Sequence, residues 1–387
     1  MRSRRSEGGV PSFCCFNPMP WPNVDRKPSK WPYPNHHFNA ASGHLLYRSY
    51  IDQLVFAEQC GFDWIGIAED HFTAYSIIPN PNILISVLSQ LTSRVKLAIL
   101  GLPIPLLNPI RVAEEVAMLD VLSNGRVVAG FIRGVPQNYA AYNFSPDESR
   151  ARFSEASELI KKAWTSPDVF SWKGDYYNYP TVSLWPRPIQ TPHPPLIYSA
   201  NSLESATLAA KHRVTIAAIH LYSRNAIEIM RTSIDAYKRQ ARSDGWDPPA
   251  DRFFIGVQVC IAQSNQQAED LFTPALDYQF GILSGTFNEQ KRELAKNSSY
   301  GYTPIEENPP TYKERMANKI IISGDPKAVI EQIKDLEEQL GVGTISLQFQ
   351  VGNMKNQDVL NGMSLFRDQV LPAFRSTPRE TVLSMKR

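Results

Sequence analysis

The sequence predicts an α/β protein folded as one (β/α)8 TIM barrel, with insertion segments at the C-terminal face of the barrel. Short apolar runs alternate with longer amphipathic segments along almost the whole chain, which is the pattern of parallel strands joined by crossover helices. The runs that we interpret as strands are residues 12–16, 64–68, 96–100, 127–131, 195–199, 215–219, 254–261 and 344–349. Because strands buried on both faces need a complete ring of helices, eight such units most economically close into a barrel.

The segments between these runs have the period of a helix. Apolar side chains recur at i, i+3, i+4 and i+7 in residues 46–59, 109–121, 148–164 and 226–242. That spacing places the apolar residues on one side of a helix, which can then be buried against the strands.

Three segments depart from the repeat. Residues 167–195 are rich in Trp, Tyr and Pro, which predicts an extended excursion over one face of the barrel. Residues 280–319 have little periodicity, which indicates a disordered insertion or an active-site lid, and their position before the last strand favours the lid. The proline-rich residues 18–34 follow the first strand and should lie at the catalytic face. We expect one domain over residues 12–376, a disordered tail at 1–11 and a C-terminal tail at 377–387.

The composition points to a small-molecule partner in the cytoplasm. Lysine and arginine number 40 against 38 aspartates and glutamates, so there is no basic field for nucleic acid or anionic lipid. No stretch approaches the roughly 18 consecutive apolar residues that a membrane span requires. The four cysteines have neither CxxC spacing nor the density of a disulfide scaffold, which predicts reduced thiols.

Four residues after the fourth and fifth strands are candidates for binding a phosphate. Ser202 and Ser205 open a helix, where hydroxyls and free backbone N–H groups meet the positive end of the helix dipole. Arg133 leaves a strand and Arg150 begins a helix, and arginine pairs with phosphate bidentately. Taken singly, each has a plainer interpretation, as an N-cap serine or a structural arginine. The sequence has no GxGxxG or GxxxxGK[ST] motif, so a Rossmann or P-loop site is not predicted.

The histidines suggest proton transfer rather than metal binding. His71 follows Glu69 and Asp70, and a carboxylate can orient an imidazole that titrates near neutrality. His220, at the end of the sixth strand, is well placed for a functional role, although a buried, hydrogen-bonded histidine is the plainer interpretation. The spacing of a zinc site such as HExxH is absent, so we expect no metal.

Read together, these positions resemble the luciferase-like flavin-dependent monooxygenases, the bacterial luciferase superfamily. The matching segments are Gly61-Phe62-Asp63, Glu69-Asp70-His71-Phe72, Pro79-Asn80-Pro81-Asn82, Asn108 to Glu115, Met118-Leu119-Asp120, Ser123-Asn124-Gly125-Arg126, Gly130 to Gly134, Glu148-Ser149-Arg150 and Trp185 to Gln190. The resemblance runs from the first strand to Phe374.

The resemblance implies a site for reduced FMN. Arg133, Arg150, Ser202 and Ser205 would bind the phosphate, with Asn201 beside them and Val135 along the flavin. The Leu100–Gly101 bond corresponds to a non-proline cis peptide behind the isoalloxazine ring, and glycine allows close approach of the ring.

Three positions differ from the family pattern. Asp70 stands where the family has its catalytic histidine, Ile132 at a reactive cysteine and Asn201 at a glutamate. These differences argue against light emission from an aldehyde and for a different oxygenation.

The implied reaction uses FMNH2, supplied by a separate NAD(P)H:flavin reductase, and O2. A flavin hydroperoxide would oxygenate a small organic substrate, with His71 or His220 as general acid or base and Asp70 orienting it. Water would be excluded by the 280–319 lid and by aromatic residues, namely Trp21, Phe72, Tyr75 and Tyr139. The alternatives are a deazaflavin-dependent hydride transfer and a catalytically silent flavin-binding subunit. Related proteins dimerise through helices near the second and third strands, so the resemblance implies a homodimer.

Overall fold

Eleven strands are present in the computed structural model, which describes residues 11–24, 32–200, 202–219, 224–298 and 308–375. They are β1 (Ser12–Phe16), β2 (Trp64–Ile67), β3 (Lys96–Pro103), β4 (Val127–Ile132), β5 (Phe170–Lys173), β6 (Asn178–Val182), β7 (Leu196–Ser199), β8 (Thr215–Ala218), β9 (Phe253–Ile261), β10 (Ile321–Gly324) and β11 (Thr344–Gln348).

Eight of these strands close into a parallel barrel. The order around it is β1, β2, β3, β4, β7, β8, β9 and β11, and β11 pairs with β1 again. These are the eight strands that the apolar runs predict, so the TIM barrel is confirmed. The short strand β10, which the sequence analysis missed, pairs with the second half of β9.

Helices follow the strands and surround the barrel. They are α1 (Ala40–Gln59), α2 (Pro81–Leu91), α3 (Pro109–Leu122), α4 (Pro136–Ala141), α5 (Ser149–Thr165), α6 (Leu203–Lys211), α7 (Ala226–Ser243), α8 (Asn265–Asn297), α9 (Tyr312–Ala317), α10 (Pro326–Leu340) and α11 (Asn356–Leu365). None of the helices in the described part of the chain is both long and apolar enough to cross a bilayer.

Local sequence sets where several helices begin. Asn80 and Asn108 precede the proline at the first position of α2 and α3, and each side chain accepts hydrogen bonds from backbone N–H groups of the first turn. Asparagine satisfies donors that have no partner within the helix, and proline at the first position has no N–H to lose. Asp325 and Pro326 start α10 in the same way, and Gly341 ends it at φ +62°, a conformation that favours glycine.

The core has an inner and an outer layer because successive strand residues face opposite sides of the barrel wall. On β9, Phe254 packs inside the barrel with Cys14 and Ala98. Its neighbours Ile255 and Val257 pack outside, beneath the helices. The inner layer fills the middle of the barrel and leaves its C-terminal end for polar side chains.

The two segments interpreted as insertions have regular structure. Residues 167–195 contain the antiparallel hairpin of β5 and β6, and Gln190 Nε2 then donates to Val127 O, 2.8 Å away, at the N-terminal end of β4. Residues 280–297 form the second half of α8, so of the two interpretations of residues 280–319 the disordered insertion, which was not the favoured one, does not hold there. The buried side of this half includes Thr286 and Gln290, and these polar residues hide the helical period from an analysis of apolar spacing. Residues 299–307 and both predicted tails, except for Pro11, lie outside the described residues.

Candidate active site

A cavity of about 200 Å³ opens where β4 and β7 end, beside the first turns of α5 and α6. Parallel strands bring their C-terminal ends to the same end of a barrel, where the following loops and helix starts surround a ligand. The cavity is lined by Ile132, Arg133, Gly134, Val135, Arg150, Phe153, Tyr198, Ser199, Ser202, Ser205 and Leu208. The structure thus brings together the four candidate phosphate ligands and Val135, which are far apart in the sequence.

Two serines occupy the start of α6. Ser202 is the N-cap, and its Oγ accepts a hydrogen bond from the Ser205 backbone N–H at 3.2 Å. The two hydroxyl oxygens are 3.0 Å apart. The hydroxyls and the helix N-terminus therefore face the cavity as a group, and such a group binds anions.

Two arginines supply positive charge to the same cavity. A terminal nitrogen of Arg150 lies 3.0 Å from Glu204 Oε2, and both side chains are largely exposed. Arg133 follows β4 and has no carboxylate partner within the described ranges. The cavity combines hydroxyls, a helix N-terminus and two guanidinium groups, which is a suitable set of partners for a phosphate dianion.

The Leu100–Gly101 peptide bond is trans, and the cis bonds of the described residues precede Pro186 and Pro192. The expectation of a cis peptide at Gly101 is therefore wrong for this structure. Gly101 is the extra residue of a β-bulge, because the pairing of β3 with β4 shifts between Leu100 and Leu102. A Cβ at Gly101 would lie 2.3 Å from Ile132 Cγ2. The glycine is thus explained by the bulge and by its contact with Ile132.

The partner of His71 is Glu69. His71 Nε2 lies 2.9 Å from Glu69 Oε1, and the same oxygen accepts a hydrogen bond from the Tyr142 hydroxyl at 3.0 Å. Desolvation and the nearby Glu69 carboxylate raise the pKa of Tyr142 above its ordinary value, so its hydroxyl stays a donor. The prediction that Asp70 orients His71 is wrong, because the imidazole pairs with Glu69 while Asp70 accepts a hydrogen bond from Gln137.

Asp70 contacts the first turn of α4 instead. Gln137 Nε2 donates to Asp70 Oδ1 at 2.8 Å. Desolvation raises the pKa of Asp70 to about 7, although the hydrogen bond from Gln137 and the charge of His71 oppose this shift. Asp70 can therefore hold or release a proton near neutral pH.

Helix α4 links the two parts of the site. It begins directly after Val135, which lines the cavity, and supplies Gln137 to Asp70 and, just past its end, Tyr142 to Glu69. The sequence analysis missed both residues. Their signal was a polar segment directly after Arg133-Gly134-Val135, in a helix too short to show a period.

The aromatic residues expected to line the site have different environments. Trp21 is buried against Tyr278 and Ile282 of α8, and Tyr75 packs at the edge of this cluster. Tyr139 is buried and its hydroxyl donates to Arg133 O at 3.2 Å. Phe72 is 52% exposed.

Two predicted site residues, Asn201 and His220, lie outside the described residues. In the described ranges, no group of three or more His, Cys, Asp or Glu side chains is arranged to hold a metal ion.

A barrel with a cavity lined by arginines and serines at its C-terminal end is found in a broad class of enzymes, and comparison with known proteins identifies the family. The family model described as luciferase-like monooxygenase matches residues 33–343. The chain therefore belongs to the luciferase-like monooxygenase family of flavin-dependent oxidoreductases, which confirms the resemblance read from its motifs.

Two of the proteins that are similar to this chain in sequence differ in how much of it they match. A Sinorhizobium fredii protein of uncharacterized function, y4wF, is 28% identical over 318 residues, 81% of this chain and 88% of the relative. The oxygenase component of a flavin-dependent trigonelline monooxygenase from Acinetobacter baylyi is 28% identical over 196 residues, 48% of this chain and 52% of the relative.

Solved structures share the fold. Monooxygenase RslO1 from Streptomyces bottropensis superposes with a TM-score of 0.76 at 23% identity, over 94% of this chain and 100% of that chain. The oxygenating constituent of 3,6-diketocamphane monooxygenase from Pseudomonas putida, solved with FMN, superposes with a TM-score of 0.72 at 18% identity, over 94% of this chain and 98% of that chain. An F420-dependent secondary alcohol dehydrogenase superposes with a TM-score of 0.65 at 17% identity, over 95% of this chain and 99% of that chain.

Proposed function

We propose that this protein is an FMN-dependent monooxygenase that uses reduced FMN and O2 to oxygenate a small organic substrate. The observation that carries the proposal is the cavity at the ends of β4 and β7, where two arginines and two serines meet at the start of α6. A phosphate is the part of FMN that such a group would recognise.

The residues present fit the phosphate end of FMN. Ser202 and Ser205 would donate hydroxyl hydrogen bonds, while Arg133 and Arg150 would supply charge. Val135 lies between this end and α4, which is where the ring system would pass. Leu100 and Gly101 would border the ring from β3, and Asn201 would adjoin the phosphate.

When bound, reduced FMN supplies two electrons and two protons, so that one atom of O2 enters the substrate and the other leaves as water. The described residues can hold and move a proton beside the reaction. His71 is fixed by Glu69 at 2.9 Å, and Asp70, with its pKa raised to about 7, can act as a general acid or base. His220 is a further candidate for proton transfer.

Water exclusion is the role we assign to the lid, the described parts of residues 280–319. Ile282 of α8 belongs to the same buried apolar cluster as Trp21, which follows β1 at the C-terminal end of the barrel. A helix held by apolar contacts over the barrel can keep solvent from the reacting groups and must move to admit substrate.

The proposed reaction also implies a partner enzyme and a cellular compartment. A separate NAD(P)H:flavin reductase would supply FMNH2. The four cysteines are buried free thiols, as in a reducing compartment such as the cytoplasm. With Asp70 in place of the family histidine, we expect an oxygenation other than light emission from an aldehyde.

The protein should recognise the FMN phosphate. In anaerobic titrations we expect FMNH2 to bind about tenfold more tightly than reduced riboflavin, because the two differ in the phosphate and its charge-assisted hydrogen bonds. Equal affinities would contradict the phosphate assignment. Tighter binding of a deazaflavin such as F420 would assign the protein to hydride transfer instead.

Rapid mixing of the FMNH2 complex with O2 tests the reaction. We expect flavin reoxidation to proceed in more than one kinetic phase and more slowly than for free FMNH2, because the site shields the flavin from water. Reoxidation indistinguishable from that of free FMNH2 would indicate a silent flavin-binding subunit.

We also propose a homodimer formed through α2 and α3. Exposed apolar side chains recur along both helices, which pack against each other. They are Ile83, Val87 and Leu91 on α2 and Met118, Val121 and Leu122 on α3. A continuous apolar surface of this kind marks an interaction site, and a second copy of the chain would cover it with the same surface.

A further inference from the structure

Two buried glutamines lie side by side near the C-terminal end of the barrel interior. Gln258 of β9 and Gln348 of β11 are register partners on neighbouring parallel strands, and each is 1% exposed. An even number of positions separates Gln258 from Phe254 on β9, so both side chains point to the same side of the barrel wall. Phe254 belongs to the inner layer. The two amides therefore face the interior at the level where the inner apolar layer ends.

The orientation of the Gln348 amide is fixed by its neighbours. Its Nε2 donates to the Gln350 carbonyl at 3.0 Å and to Gln279 Oε1 at 3.3 Å. Gln279 Oε1 also accepts from the Gly352 backbone N–H at 2.8 Å, so it must be an oxygen. Gln348 consequently directs its own Oε1 elsewhere, and this oxygen has no hydrogen-bond partner among the described residues.

Gln258 has both of its amide atoms unpaired. Neither Oε1 nor Nε2 finds a partner in the described part of the chain, although the side chain is buried. An unsatisfied buried polar group lowers stability, and native proteins keep few of them without a reason. Together the pair offers one donor group and two acceptors.

Phe16 gives this part of the barrel a planar neighbour. It is the register partner of Gln348 on β1. Its side chain points to the same side of the barrel wall as that of Cys14, which belongs to the inner layer. A flat ring could thus contact an aromatic side chain while its edge meets the two amides.

We propose that Gln258 and Gln348 recognise the edge of a neutral cyclic imide or lactam, in which a carbonyl stands beside an N–H. The carbonyl accepts from Gln258 Nε2, and the N–H donates to an amide oxygen of the pair. A carboxylate would bring negative charge against two amide oxygens, and a hydrocarbon would leave all three atoms unpaired. This inference rests on the proposed function, since the ligand is either the pyrimidine edge of FMN or a substrate ring in the same site.

Glutarimide and N-methylglutarimide test the inference directly, because only glutarimide has the N–H that Gln258 and Gln348 should recognise. We expect the wild-type protein to bind glutarimide about fivefold more tightly, the equivalent of one hydrogen bond, as measured by ligand-observed NMR titration. Gln258→Met keeps the length of the side chain and should abolish this preference. Gln357→Met removes an exposed glutamine on α11 and should retain it.

Saturating FMN separates the two sources of the ligand. Displacement of glutarimide by FMN assigns the amides to the flavin edge, and simultaneous binding assigns them to the substrate. Failure of the wild-type protein to bind glutarimide, equal binding of both imides, or an unchanged preference in Gln258→Met overturns the inference. Loss of stability in Gln258→Met with unchanged imide binding would likewise overturn it, by assigning Gln258 to an internal network. The preference for FMNH2 over reduced riboflavin, measured on the same samples, reports separately on the proposed function.

Discussion

At the residue scale, Ser202 has two roles, as the N-cap of α6 and as a hydroxyl in the cavity. We expect Ser202→Ala to weaken FMN binding by about 1–3 kcal/mol through loss of a charge-assisted hydrogen bond. Riboflavin, which has no phosphate, should bind to the variant as it does to the wild type. Fluorescence titration with both flavins measures the difference.

Ser264→Ala is the matched control for this prediction. Ser264 caps α8, and its Oγ accepts from the Gln267 N–H at 3.2 Å, so the variant also loses a serine N-cap. It should lower helix stability without changing the preference for FMN over riboflavin. If Ser202→Ala weakened both flavins equally, the phosphate role of Ser202 would be wrong.

The protonation of Asp70 should make stability depend on pH. Folding raises the pKa of this carboxyl from 3.8 to about 7, so in this range the folded protein binds more protons at Asp70 than the unfolded chain does. The Asp70 contribution to the free energy of unfolding therefore falls as pH rises from about 4 to about 7. Asp70→Asn keeps an acceptor for Gln137 and removes the charge, so its stability relative to wild type should increase as pH rises from about 4 to about 7.

Urea unfolding at several pH values checks this expectation. Asp168→Asn, at an exposed position, provides the comparison and should show a constant difference from wild type. A constant difference for Asp70→Asn as well would show that Asp70 does not titrate in this window.

The sequence was sufficient to predict residues whose role follows from their place on an element. Ser202 and Ser205 follow a strand and open a helix, so their positions could be inferred before the structure. The pairing of His71 with Glu69 could not be inferred as simply, because it depends on which side of the chain each side chain leaves. The glutamines Gln258 and Gln348 were missed since they lie within strands that the apolar pattern treats as uniformly buried.

At the element scale, α8 is joined to the segment after β1 through one tyrosine. The Tyr278 hydroxyl accepts from the Val24 N–H at 3.0 Å and donates to Trp21 O at 3.2 Å. Tyr278→Phe should reduce the free energy of local opening at residues 21–24 by about 1–3 kcal/mol, because buried backbone groups lose their partner. Hydrogen exchange of these backbone amides provides the measurement.

Tyr237→Phe serves as the control for a buried tyrosine hydroxyl. Tyr237 donates to Val214 O at 2.8 Å beneath α7, away from the segment after β1. This variant should leave exchange at residues 21–24 unchanged when global stability is taken into account. Equal acceleration in both variants would mean that α8 does not hold that segment in place.

Strands were easier to predict than helices in this chain. All eight barrel strands are rich in apolar residues and are visible as runs, whereas the second half of α8 buries threonine and glutamine. Its identity as a helix depends on contacts with distant parts of the barrel mouth, which no local pattern contains. The bulge at Gly101 was missed for a related reason, since it depends on the register between β3 and β4.

At the scale of the whole molecule, the apolar surface of α2 and α3 predicts the assembly state. We expect the wild-type protein to be a dimer and Ile83→Glu to be a monomer, because Ile83 is 63% exposed and a charge there would be buried at the interface. Light scattering coupled to size-exclusion chromatography gives the mass. Leu45→Glu alters an equally exposed residue on α1 and should remain dimeric.

A monomeric wild-type protein would contradict the proposed interface. A dimer that persists in Ile83→Glu would place the contact on another surface. In either case the barrel itself should remain folded, since the altered side chain contributes little to the core.

The ion pair between Arg150 and Glu204 bears on how long a cofactor stays bound. A phosphate entering the cavity would have to compete with the Glu204 carboxylate for Arg150, and on departure the arginine would regain its internal partner. A carboxylate placed in this way would lower the affinity for the phosphate and shorten its residence time. For the proposed enzyme, which would receive its flavin from a separate reductase, rapid exchange would be as necessary as recognition.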